Sequence, residues 1–162
     1  MVVSTRLSLR FALPERDRWR VEDPAVGWLT ARHAATDSKL MLQGWREAML
    51  VDHRDCEQQA RQTRADLPEF DAEEIVDRLR LQRPVGYDTE LAIAVRRTPS
   101  GVQGFALGFG GAIRRCLMLL YETRAEGPRA ERIVGDRLGF FAQRIARTLG
   151  SRSIDDRVPR RQ

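Results

Sequence analysis

The sequence predicts an α+β fold in which an antiparallel sheet of about six or seven strands is flanked by helices, forming an α/β/α sandwich. Three segments support this prediction. Residues 89–123 read as a β-meander, residues 128–149 carry apolar side chains at helical spacing, and residues 52–65 read as a shorter helix. Strands precede each of the two helices, as expected for a sheet that is covered on both faces.

The first part of the chain predicts short strands and one hairpin. Residues 7–11 alternate between apolar and polar side chains, which is typical of a half-buried strand. A second short strand covers Trp19 and Val21. Residues 27–33 and 39–46 then form a predicted hairpin, because apolar residues of the two segments can face each other across a polar turn.

The first predicted helix covers residues 52–65. Asp52 is a suitable N-cap, and Asp55 lies in the first turn, where the helix dipole favours a carboxylate. The apolar stripe of this helix is thin, so we expect it to pack on one side only. An acidic loop over 66–75 and a weakly patterned strand over 76–81 follow it.

The meander has two different kinds of surface. Residues 91–95 place bulky aliphatic side chains at alternate positions, whereas residues 105–110 alternate large apolar side chains with alanine and glycine. The small residues make a smooth face that a helix can approach closely. We expect a two-residue hairpin loop at Gly110–Gly111, followed by a strand over 113–123 that is apolar on both faces.

The second predicted helix begins after Gly127–Pro128 and ends at Gly150. Its apolar residues recur at steps of three and four, which indicates an amphipathic helix. They are Ala130, Val134, Leu138, Phe141, Ile145 and Leu149. We therefore assign residues 1–150 to a single α+β domain and residues 151–162 to a basic, flexible C-terminal tail.

The charge is unevenly distributed and almost all of the positive charge is arginine; Lys39 is the only lysine. Residues 46–90 carry 7 basic and 12 acidic side chains, a net charge of −5, whereas the rest of the chain carries +10. Nucleic-acid binding through the arginine-rich surface is an alternative. It is not the expected function, because exposed aromatic residues for base stacking are few.

Several classes of function receive no support from the pattern. No run of 18 apolar residues predicts a membrane span. The first residues lack the features of a signal peptide, so the chain as given is expected to be cytoplasmic; it would be periplasmic or a lipoprotein if a signal had been removed. No cofactor is predicted, and the glycines at 104–111 do not have the spacing of a phosphate loop.

Two cysteines and two histidines limit the possible chemistry. His53 and Cys56 are three residues apart on the first helix and form the best candidate pair for a small enzyme, which His33 could also serve. A metal site is not predicted, because the chain lacks paired ligands at standard spacing. A Cys56–Cys116 disulfide would form in an oxidising compartment; otherwise both are free thiols.

Two local strings and the order of elements resemble a known type of protein. The string Trp19–Pro24, followed by a hairpin, a helix, a meander and a last helix, is similar to the PsbP-like α/β/α sandwich. The string Asp55–Arg61 resembles uncharacterised bacterial proteins, some of which are lipoproteins. The resemblance implies a non-catalytic accessory or binding protein and carries over no catalytic residue.

The main hypothesis is therefore a non-catalytic accessory protein that serves secretion, assembly or a biosynthetic pathway. It would recognise a peptide or protein partner through a sheet edge or the groove beside the C-terminal helix. The candidate anchor residues are Trp19, Trp28, Trp45, Tyr87, Arg114 and Arg115. A small enzyme using Cys56 and His53 is the alternative, and homodimerisation through a sheet edge is compatible with both.

Overall fold

The structure, a computed structural model, describes residues 2–4, 9–22, 28–81 and 88–151. A seven-stranded antiparallel sheet forms its centre, with the order β3-β4-β5-β9-β8-β7-β6. Its strands are β3 (Arg20–Glu22), β4 (Trp28–His33), β5 (Ser38–Arg46), β6 (Ile75–Leu81), β7 (Asp88–Thr98), β8 (Gly101–Ala112) and β9 (Arg115–Ala125). The predicted α+β class, strand number and meander are confirmed.

A small second sheet lies beside the first. It consists of β1 (Val2–Ser4), β2 (Leu9–Phe11) and β10 (Gly150–Ser151), with β2 in the middle. Backbone pairing joins Gly150 to Arg10 and Ser151 to Leu9. The start of the predicted tail is therefore a strand residue, and the rest of that tail, residues 152–162, lies outside the described residues.

Two helices cover opposite faces of the seven-stranded sheet. Helix α1 (His53–Thr63) begins at the predicted N-cap Asp52, which forms a capping box with Asp55. Helix α2 (Ala130–Phe140) continues through a π-helical turn, Phe141–Ile145, and a 3₁₀ turn, Ala146–Thr148. Among the described residues, no helix is long and apolar enough to cross a membrane.

The α2 face holds the larger core. All six residues of the predicted stripe, from Ala130 to Leu149, are at most 3% exposed. They pack with Leu29, Leu40, Leu91, Leu119 and other residues that point to this face. Gly104 permits the contact, because a Cβ there would lie 2.5 Å from Val134 Cγ1. The smooth face predicted for the meander is thus where α2 packs.

The α1 face is held differently. The helix buries only Cys56 and Ala60, against strand residues such as Phe109 and Met118. A disulfide joins Cys56 to Cys116 on β9, and both cysteines are at most 1% exposed. The bridge anticipated as one of two alternatives is therefore formed, and it fixes α1 to the sheet.

The hairpin between β8 and β9 differs from the prediction. Gly110 and Gly111 pair with Leu117 and Cys116 inside the strands, so the predicted loop at Gly110–Gly111 is wrong. The two-residue turn is Ile113–Arg114 instead. Glycine is needed at position 111 for another reason: a Cβ there would lie 2.4 Å from the carbonyl carbon of Asp52, where α1 begins.

Candidate functional site

A cleft of about 290 Å³ lies on the α1 face, between α1 and strands β6 and β7. It exists because α1 is narrow and packs mainly over β8 and β9, so the neighbouring strands are left partly uncovered. Its apolar lining residues are Phe70, Ile75, Ala92, Leu107 and Phe109. Its polar and charged lining residues are His53, Arg54, Glu57, Arg61, Arg78 and Glu90.

The register of the meander places both kinds of residue in the cleft. Arg78, Ala92 and Leu107 are paired neighbours on β6, β7 and β8, so their side chains share one row of the α1 face. Phe70 comes from the loop after α1, and its ring lies 5.4 Å from that of Phe105. The floor is therefore apolar strand surface, and the loop closes one end of it.

His53 sits at the other end and joins the helix to β7. Its Nδ1 lies 3.2 Å from Asp88 Oδ2, and its Nε2 lies 3.4 Å from Glu90 Oε2. The imidazole is thus held between two carboxylates at the first turn of α1, and only 13% of the side chain is exposed.

Two arginines on the edge strand complete this ion-pair network. Arg80 donates to both oxygens of Asp88 at 3.0 Å, and Arg78 lies 3.4 Å from Glu90. The hydrogen bonds from Arg80 are the main reason that the pKa of Asp88 is lowered, and the hydrogen bond with His53 lowers it further. This carboxylate is therefore kept ionised and bound to Arg80.

The helix side of the cleft combines a paired and an unpaired arginine. Arg61 donates to Glu57, four residues earlier on α1, and to the carbonyl of Pro68. Arg54 is exposed and makes no ion pair with any described residue. A ligand that enters the cleft therefore meets an apolar floor and the guanidinium of Arg54, which no described carboxylate pairs with and which can bind an anion.

Strand β6 is the longer of the two edges of the sheet. Its pairing with β7 is interrupted between Ile75 and Asp77, where Val76 bulges out and is 61% exposed. Arg78 N–H donates to the side chain of Asp77. Bulges and charged side chains are features that limit strand addition at an edge.

The predicted anchor residues do not form one site. Trp19 is 7% exposed and packs edge-on against His33 in the α2-face core. Trp28 and Trp45 are half-buried on the α1 face, where Arg64 lies 5.1 Å from the ring of Trp28. Arg114 and Arg115 are exposed at the β8–β9 hairpin. Tyr87 lies outside the described residues.

The structure does not form a thiol–imidazole pair from the candidate enzyme residues. Cys56 is bonded to Cys116, so it has no thiol to act as a nucleophile with His53 in this form. His33 lies on the opposite face of the sheet from His53, 3% exposed and 3.0 Å from Thr36 Oγ1. Among the described residues, no group of three His, Cys, Asp or Glu side chains is placed to hold a metal ion.

Sequence reasoning missed most of the cleft. Phe70, Arg78 and Glu90 come from a loop and from two strands that pair only in the fold. The available signal was the sequence of β6, which carries charged residues on both faces of the strand: Asp77 on one face, and Arg78 and Arg80 on the other. Charged residues on both faces indicate an edge strand, but they do not identify which side chains of β6 lie near α1.

The groove predicted beside the C-terminal helix is filled on one flank. Leu9, Phe11, Leu13 and Trp19 belong to the same buried cluster as Leu138, and β2 contacts the 3₁₀ turn that follows α2. The cleft described above lies beside α1, on the other face of the sheet.

Comparisons with known proteins support the fold alone. No protein-family model matches the chain, and no curated protein matches its sequence. A crystal structure of a protein from Bacteroides thetaiotaomicron VPI-5482, at 1.50 Å resolution, is similar to it, with a TM-score of 0.52 and 9% sequence identity over 95% of this chain. The chain spans 48% of the length of that protein. This weak resemblance is to an uncharacterised protein and agrees with the α/β sandwich.

Proposed function

We propose that this protein is a non-catalytic binding module that takes a segment of a peptide or protein partner into the cleft beside α1. The observation that carries the proposal is the combination of an apolar floor, built around Leu107 and Phe109, with the unpaired guanidinium of Arg54 at its rim. Ligand sites combine apolar lining with polar groups that fix orientation, and in this cleft six of the eleven lining residues are polar or charged.

The dimensions of the cleft indicate what it would take. A volume of about 290 Å³ is at the lower end of the range for ligand pockets and suits one or two side chains rather than a large cofactor. A fitting segment has an apolar side chain for the floor and an acidic group beside it for Arg54. Arg78 would contribute by leaving its long contact with Glu90.

The edge strand would support such a segment without being its main attachment. Arg78 and Ile75 belong to β6, so a chain leaving the cleft passes along this edge. Strand addition there is limited by the bulge at Val76, so side-chain recognition in the cleft supplies most of the specificity.

An accessory role of PsbP-like type, in an oxidising compartment, is part of the same proposal. A buried disulfide favours the periplasm or another oxidising location over the cytoplasm, because cytosolic thiols are kept reduced. The expectation of a cytoplasmic protein is therefore replaced in our proposal by an extracytoplasmic one.

The test is selection of ligands from a displayed peptide library on the full chain, followed by affinity measurements on variants. We expect enriched peptides to place an apolar residue next to Asp or Glu. Ala92→Trp, which fills the floor, and Arg54→Glu, which reverses the rim charge, should each weaken binding about tenfold or more.

Gln58→Glu is the matched control, because Gln58 is an exposed α1 residue that does not line the cleft. It places a glutamate on the same helix outside the cleft, with a charge change of −1 against −2 for Arg54→Glu. Failure to select any peptide, or peptides that bind Ala92→Trp as tightly as the parent, would contradict the proposal.

A further inference from the structure

An exposed apolar tip stands at the end of the sheet where α1 begins. We define the tip as residues 46–51 together with residues 113–115. Met49, Leu50 and Ile113 are 76%, 75% and 75% exposed, and they are the three most exposed large apolar residues among those the structure describes. Scattered apolar residues are ordinary on a surface, but these three belong to segments that touch.

Backbone hydrogen bonds hold the two segments of the tip together. Val51 N–H donates to the carbonyl of Ile113, and Glu47 N–H donates to that of Arg114, both at 2.8 Å. Ile113 has a φ of 56°, a left-handed conformation that a β-branched residue rarely adopts and that glycine would adopt easily. An aliphatic side chain is thus held outward at a position where glycine would be more favourable.

The tip also carries arginines without acidic partners. Arg46, Arg114 and Arg115 are exposed and make no ion pair with any described residue. Arg46 and Arg115 are directly paired across β5 and β9, an arrangement in which like charges repel. By contrast, Arg96 and Arg97 at the opposite end of the sheet are both paired with glutamates.

We propose that the tip docks the protein on an anionic membrane surface, with Met49, Leu50 and Ile113 entering the interface and the three arginines binding lipid headgroups. Apolar side chains next to basic ones are typical of peripheral attachment, and each arginine near an anionic surface adds about a fivefold gain in binding. A hairpin tip offers a second protein little of the area that a stable interface needs, whereas a bilayer accepts it.

The test is co-sedimentation of the full chain with two vesicle types: phosphatidylglycerol mixed equally with phosphatidylcholine, and phosphatidylcholine alone. We expect binding to the anionic vesicles that weakens as salt is raised, since headgroup contacts are screened. Ile113→Gly should weaken it about tenfold while raising the melting temperature, because it removes both the aliphatic side chain and the backbone strain.

Opposite changes in binding and stability cannot arise from misfolding. Val76→Ser and Phe140→Ser remove exposed apolar side chains elsewhere and should leave vesicle binding unchanged. The proposal fails if the chain does not bind anionic vesicles, or if these controls weaken binding as much as Ile113→Gly. It also fails if the tip proves to join two copies, seen by light scattering as a dimer that Ile113→Gly dissociates.

Discussion

The two helical layers of this protein are attached to the same sheet by different forces. Helix α2 and the turns after it bury large apolar side chains such as Leu138, Phe141 and Ile145, each at most 3% exposed. Helix α1 buries only Cys56 and Ala60, and it is joined to the sheet by the Cys56–Cys116 disulfide and by the contacts of His53 with two carboxylates of β7. A layer attached by one covalent bond does not need a wide apolar footprint, so the neighbouring strands stay free to form a cleft.

The carboxyl groups with lowered pKa values are also divided unequally between the two layers. Among the described residues, four carboxyl groups have a lowered pKa, and all four lie in α1 or in the strands and loops on the α1 side of the sheet: Asp52, Asp66, Glu74 and Asp88. Each accepts a hydrogen bond from an arginine or from the backbone at a helix start or turn. The α2 layer therefore rests on the larger apolar cluster, whereas the α1 layer adds a disulfide and charged hydrogen bonds to a smaller one.

Removing the disulfide should separate the two layers most strongly. Cys56→Ala with Cys116→Ala opens a covalent loop with a sequence separation of 60, for which the loop-entropy model gives a loss of about 4 kcal/mol. We expect hydrogen exchange to rise in α1 well before it rises in α2, measured by mass spectrometry on the native protein.

Leu138→Ala is the matched disruption of the other layer, with an expected loss of about 3 kcal/mol from the cavity it creates. In this variant the exchange of α2 should rise while the disulfide keeps α1 protected. If both helices lost protection equally in the double cysteine variant or in Leu138→Ala, the two layers would unfold as one unit. They would then not be stabilised separately.

The sequence predicted the layered fold because most of the signal is local. The α2 stripe repeats at helical spacing through Leu149, and the meander alternates at strand spacing, so neither needs long-range information. The turn at Ile113–Arg114 was missed because Gly110–Gly111 satisfied a local rule. Those glycines are strand residues. Gly111 lets the start of α1 pack closely on β8, because a Cβ at this position would collide with the backbone of Asp52. This contact forms only in the folded protein, so local sequence rules do not reveal it.

The cleft could not be predicted in the same way. His53 was singled out for its neighbour Cys56, whereas its partners are Asp88 and Glu90, more than thirty residues later. These contacts depend on the register of β7 and on where α1 crosses the sheet. Sequence spacing reports which residues share an element, but it does not report which elements meet.

Glycine substitutions offer a second way to separate the layers, with a smaller effect. Gly111→Ala would place its Cβ against the backbone of Asp52, which moves only if α1 moves, so we expect a loss of about 3 kcal/mol. Gly104→Ala would meet the side chains of Val134 and Leu138, which can adjust, for a loss of about 2 kcal/mol. Urea unfolding measures both; a larger loss for Gly104→Ala would contradict the assignment.

Acid should weaken the α1 layer selectively, and this is the smallest change in stability that we predict. Because the pKa values of the four α1-layer carboxyl groups are lowered in the folded state, their stabilisation is present above the unfolded values near 4 and is lost as the pH falls through the lower folded values. Asp52, Asp66 and Asp88 are exposed and Glu74 is half-buried, so screening limits the total to a decrease of a few degrees in melting temperature. Protection factors from hydrogen exchange by NMR, corrected for intrinsic rates at pH 6 and pH 3, should fall in α1 more than in α2.

Asp88→Asn removes one titrating group and should reduce the pH dependence of protection in α1. An equal fall in both helices on acidification would show that these carboxyl groups do not stabilise the α1 layer selectively.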